Sequence, residues 1–189
     1  MDFLNPRAHI VAIGDALRLK YLAGGGYGCN YPDERFSMAR RWLHHLVFYG
    51  FALCFGATAV AAFYEHFRHI TAPFPVISLP VVMGTIGGMA LLAGTGGLLY
   101  LKVKMDRAPA TAKSTAMDFG FLILLFMVSL TGLLLLVFRE TSAMGTFLAV
   151  HLGCVAGFFL TMPYGKFIHA IFRYAALVRN AAEQMRGQP

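Results

Sequence analysis

The chain has 189 residues, 58% of them hydrophobic and only 13% charged, where an ordinary soluble domain carries about a quarter charged residues. Several apolar runs reach the roughly eighteen residues that cross a bilayer, which excludes a soluble globular domain. A formal charge of +7 would suggest nucleic acid in a soluble protein, but in a membrane protein the cations belong in cytoplasmic loops, so no nucleic-acid partner is expected.

Residues 1–23 pattern as a short amphipathic helix on the cytoplasmic membrane surface. Ile10, Val11, Ile13, Leu17 and Tyr21 fall on one side and Asp15, Arg18 and Lys20 elsewhere. His9 reads as exposed. Asp2 and the short, interrupted apolar stretch argue against a cleavable signal peptide. A glycine-rich loop, Gly24 to Asp33, follows and contains Cys29.

The first span is expected from about Trp42 to His66. It opens behind Arg40 and Arg41, carries His44 and His45, and is followed by Arg68 and His69. The second, about Val76 to Leu101, is rich in glycine, which lets helices approach closely in lipid and suits packing before any ligand role. The third runs from about Met117 to Phe138. Asp118 at its start suits the positive end of a helix dipole. The fourth is expected as one helix from Met144 to Tyr174, with a polar, fraying tail from Arg179. The fold class is therefore an all-α membrane protein, a four-transmembrane-helix bundle over residues 42–174. A cytoplasmic segment, 1–41, precedes it and a cytoplasmic tail, 175–189, follows.

Of the sixteen Lys and Arg, only Arg68 and Arg139 fall in the loops that alternate with the basic ones. The positive-inside rule then puts both termini in the cytoplasm, with the bundle in a bacterial inner membrane. Cys54 and Cys154 lie in apolar helices as small hydrophobes. With three cysteines and no CxxC, the chain alone does not ligate a four-cysteine iron–sulfur cluster.

The histidines carry the chemistry. His151 and His169 are eighteen residues apart. On one continuous helix that is five turns, which would put both imidazoles on one face roughly 27 Å apart, near opposite surfaces of the bilayer. The first span runs antiparallel to the fourth. It offers His44 or His45 opposite His169 at the inner level, and His66, ahead of His69, opposite His151 at the outer level. A bis-imidazole b-type haem needs such facing pairs, so one or two haems are expected. Arg40, Arg41, Lys166 and Arg173 at the inner level, and Arg68 and Arg139 at the outer, are cations for haem propionates. Asp118 and Lys166 are candidate proton donors.

The segments TAMDFGFLILLFMVSLTGLLLL, RE, HLG and MPYGKFIHAIFRYAALVR resemble the membrane haem b subunits of nitrate reductase (its gamma subunit) and heterodisulfide reductase. The resemblance runs through Asp118, Thr131, Gly132, His151, Pro163, Lys166, His169 and Arg173. The stretch GCNYPDERFSMARRWLHHLVFYGFALCFGATAVA is similar to the membrane portion of the tricarballylate (citrate) utilisation protein B group. That resemblance implies an electron carrier that reoxidises an FAD-dependent tricarballylate dehydrogenase and passes electrons to quinone. It implies haem iron on histidines of the first and last spans. It also implies two [4Fe–4S] clusters in a ferredoxin-type part, which here must come from an N-terminal domain or a partner chain. In the nitrate reductase subunit a second histidine lies ten residues after the first; here Cys54 or Phe55 stands in its place.

Two other readings predict different things. A small multi-pass transporter needs a polar path, and the spans offer few polar side chains beyond Thr58, Ser78, Thr85, Thr95, Ser129 and Thr131. A haem-free membrane anchor for a soluble dehydrogenase makes the histidines incidental.

Overall fold

A computed structural model of the protein describes residues 5–22, 38–104, 112–165 and 168–187, with the backbone alone over 112–115. Cys29 and Lys166 lie outside the described residues. The described residues form α1 (Pro6–Leu17), α2 (Ala39–Phe67), α3 (Leu79–Lys104), α4 (Ala112–Val137), α5 (Met144–Thr161) and α6 (His169–Arg186). Four stretches are long and apolar enough to cross a membrane: Ala39–Phe67, Leu79–Lys104, Ala116–Val137 and Met144–Tyr164. The protein is an all-α membrane protein built on a four-helix bundle.

Its packing inverts that of a water-soluble bundle. Large side chains such as Phe55, Phe63, Ile86, Leu152, Phe159 and Leu160 point outward, while glycines fill the α2–α3 contact. A Cβ placed on Gly50 would lie 2.8 Å from the Gly87 carbonyl oxygen, and one on Gly87 2.8 Å from the Gly50 oxygen. Gly94 stands in the same relation to the Leu43 carbonyl oxygen, at 2.9 Å. Lipid does not drive apolar surfaces together, so such backbone-to-backbone approach is what holds spans to each other. The expectation that these glycines serve packing is thus explained by their neighbours.

The spans pack in chain order, α2 on α3, α3 on α4 and α4 on α5. Across the bundle α2 meets α5 through side chains, with Phe51 and Phe158 ring centres 5.9 Å apart. Val47, Leu91, Leu125 and Phe158 make the interior cluster there. At the α1 end Lys102 and Asp118 form an ion pair at 2.6 Å between α3 and α4, with side chains 14% and 27% exposed. Asp118 therefore serves more than a helix terminus.

The expected single helix from Met144 to Tyr174 is not formed. It breaks after Thr161 into a 3₁₀ turn, Met162–Tyr164, and Gly165 is extended at φ −97°, ψ −174°. Pro163 is the physical reason, because it has no N–H to donate and its ring crowds the preceding turn. His151 and His169 thus stand on separate helices, and the five-turn spacing does not relate them.

The tail also differs from expectation. α6 runs through Arg179 to Arg186 instead of fraying, and buries Val178, Ala181 and Ala182 against Ala8 and Ala12 of α1. Small residues on both helices let them lie close. The large apolar residues of α1 point away, Ile10 being 70% exposed. His9 is not simply exposed, since its Nδ1 lies 2.8 Å from the Tyr174 hydroxyl. The α1 C-terminus leaves backbone carbonyls unsatisfied, and α2 caps two of them: Arg41 donates to the Arg18 oxygen at 2.7 Å and Tyr49 to the Leu17 oxygen at 3.0 Å.

Candidate cofactor site

α2 presents its two adjacent histidines to different neighbours, because residues one apart on a helix point about 100° from each other. His45 shares a face with Arg41 and Tyr49, at the i±4 positions. Its Nδ1–H donates to the Arg41 carbonyl at 3.0 Å, and its ring stacks on Tyr49 at 5.9 Å. That is the face that caps α1. His44 instead faces His169 at the start of α6, with ring centres 6.5 Å apart and planes 33° from parallel.

The His44 Nδ1 is buried and has no hydrogen-bond partner among the described residues. An orphan buried nitrogen costs about 1–3 kcal/mol. Two imidazoles on opposite sides of one metal ion, each bonded at about 2 Å, have ring centres about 6 Å apart. The His44–His169 pair fits that separation. Among the described residues no three His, Cys, Asp or Glu side chains converge on a metal site. Two facing imidazoles are what an iron macrocycle asks of the protein.

The cations sort in the same way. Arg40 and Arg173 are four residues from His44 and His169 on their own helices, and both act electrostatically on His44. Arg41 is committed to the α1 terminus.

At the far end the expected partners are not brought together. His66 is exposed, and its Nδ1–H donates to the Ala62 carbonyl at 3.0 Å. His69, also exposed, takes the left-handed position that ends α2, at φ 53°, while the next N–H folds back to the Tyr64 carbonyl. Arg139 donates to the Phe74 carbonyl at 3.0 Å and pairs with Glu140.

His151 lies half-buried beside α4, where its Nδ1 is 3.0 Å from the Thr131 hydroxyl. Gly132 makes room for the ring, since a Cβ there would come within 3.0 Å of His151 Cε1. His151 lines a cavity of about 470 Å³ between α2, α3, α4 and α5, within the size range of ligand pockets. α2 presents Cys54, Phe55 and Thr58 to this cavity, and His66 is not among its lining residues. The roles of Thr131 and Gly132 in seating His151 were not derivable from the spacing of the histidines. A small residue beside a hydroxyl in the middle of an apolar run was the available signal.

Comparison with known proteins agrees with the relationship suggested by the CNYPDE and RRWLHH segments. The family described as citrate utilization protein B matches residues 6–189. A citrate utilization protein B from Escherichia coli is 50% identical over 175 residues, which cover 92% of this chain and 46% of the relative. The chain thus spans about half the length of that relative. No solved structure matches it. The chain belongs to the citrate utilization protein B family.

Proposed function

We propose that this chain is a membrane electron-transfer protein that holds a b-type haem between His44 and His169. It passes electrons from a cytoplasmic partner in citrate or tricarballylate utilisation to quinone. The partner in this reading is an FAD-dependent dehydrogenase, acting through a ferredoxin-type iron–sulfur domain or chain. Both termini face the cytoplasm, as the distribution of Lys and Arg favours. The observation that carries the proposal is the 6.5 Å separation of the His44 and His169 rings beside an orphaned His44 nitrogen.

A bound haem supplies a one-electron carrier whose potential is set by its axial ligands and burial. The protein's own residues do the rest. His44 and His169 hold the iron from two helices. Arg40 and Arg173 offer guanidinium groups for two carboxylates. The aromatic layer of Phe51, Phe121 and Phe158 closes the bundle behind the site and keeps water out.

The hydroxyls of the spans do not favour a transport path. Thr58, Thr85, Thr95 and Ser129 each donate to a carbonyl of their own helix, the usual way a membrane helix hides a hydroxyl; Thr131 lies within reach of two such carbonyls, and Ser78 Oγ is buried with no partner among the described residues.

The test is a dithionite-reduced minus air-oxidised visible spectrum of the detergent-solubilised protein. A sharp b-type α-band is expected. A featureless spectrum from cells supplied with iron and haem precursor would leave the anchor reading in its place.

A further inference from the structure

We infer that the cavity beside His151 is a binding site for the ring of a membrane quinone. His151 would provide its hydrogen bond, with Thr131 behind the imidazole setting the tautomer, and no second haem would occupy the site. The inference rests on the electron-transfer reading for its choice of ligand, but its geometry is independent of the His44–His169 site.

Four observations point this way. The first is the supply of ligands. One imidazole lines the cavity, and the helix opposite presents Cys54, Phe55 and Thr58 where a second would be needed for a bis-imidazole iron. The second is charge. Arg139 is the cation in the lining, and its guanidinium already serves the Phe74 carbonyl and Glu140. A haem brings two carboxylates that need cations, whereas a quinone is neutral. The third is access. Phe55 and Phe159 both line the cavity and are 64% and 56% exposed. The cavity therefore reaches the bundle surface between α2 and α5, where a lipid-dissolved molecule would enter.

The fourth is the hydrogen-bonding chemistry of the pair. Thr131 Oγ1 lies 2.7 Å from the Met127 carbonyl, 3.2 Å from the Val128 carbonyl and 3.0 Å from His151 Nδ1. A hydroxyl has one proton and two acceptor sites, and a neutral imidazole has one donor and one acceptor nitrogen. If Thr131 donates to Met127, it accepts from His151 Nδ1–H. Nε2 then has a free lone pair for a quinol O–H. If Thr131 donates to Nδ1, Nε2 carries the proton and donates to a quinone carbonyl. With Thr131 fixing one tautomer or the other, the single imidazole can meet the ring in its oxidised and reduced forms without moving.

The position suits the rest of the chain. Phe51 lines the cavity and is seven residues from His44, about 10 Å along the helix. One aromatic layer, Phe51 against Phe158, separates the two sites.

The test measures decylubiquinone binding by calorimetry and haem per chain by pyridine haemochrome, both on the full chain in detergent. The expected result is that His151→Leu weakens decylubiquinone binding by about tenfold or more and leaves haem per chain as in the wild type. His151→Gln, which keeps a donor and an acceptor but is a poor haem ligand, should recover part of the affinity. Thr131→Val should weaken binding with no loss of haem. If both His151 variants lose haem, His151 is an iron ligand and the inference is overturned. Unchanged decylubiquinone binding in His151→Leu overturns it as well. A wild type without haem would remove the electron-transfer reading, while the decylubiquinone titrations would still decide this one.

Discussion

His44 of the first span and His169 of the helix after the last span face one another, with ring centres 6.5 Å apart. Three elements set this relationship. His44 lies about 100° round α2 from the face that caps α1, the break at Pro163 ends α5, and the restart of α6 at His169 places the second ring. His45, one residue away, is drawn to the opposite task of packing against α1.

The arginines beside the pair should separate by helical face. Arg40→Gln and Arg173→Gln are expected to weaken haem retention several-fold, measured as haem lost to apomyoglobin over time, because each removes a cation from the His44 environment. Arg41→Gln should leave haem retention as in the wild type. It should instead loosen α1, whose terminal carbonyl it caps, and faster protease cleavage within residues 6–22 would report that.

The glycine contact between α2 and α3 has no room for a methyl group. Gly87→Ala should cost about 1–3 kcal/mol, because the new Cβ would meet the Gly50 carbonyl, which cannot swing aside as a side chain can. Gly84→Ala, whose Cβ would sit at an ordinary 3.7 Å from Ala57 Cβ, is the control and should be near neutral. Thermal unfolding of the two variants in one detergent checks the difference.

The Lys102–Asp118 pair is largely shielded, at 14% and 27% side-chain exposure. Removing one partner leaves a charge in a poorly solvated place. Asp118→Asn and Lys102→Met should each destabilise by about 1–3 kcal/mol. The double variant should cost less than the sum of the two, which a double-mutant cycle would measure.

α1 and α6 are expected to behave as one unit. Ala12 is fully buried against α6, so Ala12→Leu should force the helices apart. Hydrogen exchange should then rise in both α1 and α6 while the four spans keep their protection.

The spans were legible because length and hydropathy decide insertion in a bilayer, and all four runs declare themselves by composition alone. Which histidine of the 44–45 pair faces inward was not legible. That depends on where α1 docks, and α1 docks through alanines that carry no hydrophobic signal. The α5 break was partly legible in Met162-Pro163-Tyr164-Gly165 and was outweighed by the apolar residues on either side. Reading the chain as one helix made the eighteen-residue spacing look like the cause of the histidine arrangement. In the structure His169 reaches its place by a turn and a new helix. The far-end pairing of His66 with His151 followed from depth, with the helical angle left open. Depth says nothing of azimuth, and α2 turns Cys54 and Thr58 toward His151. The packing of the tail was within reach, since Tyr174, Val178, Ala181, Ala182 and Met185 recur at helical spacing on one face of α6.

The most direct test of the central claim is haem stoichiometry by pyridine haemochrome on the wild type, His44→Ala, His169→Ala and His45→Ala, all expressed with iron and haem precursor. Haem is expected in the wild type and in His45→Ala, and its loss in both His44→Ala and His169→Ala. Haem retained at the wild-type level in His44→Ala and His169→Ala, or no haem in any of the four, would contradict it.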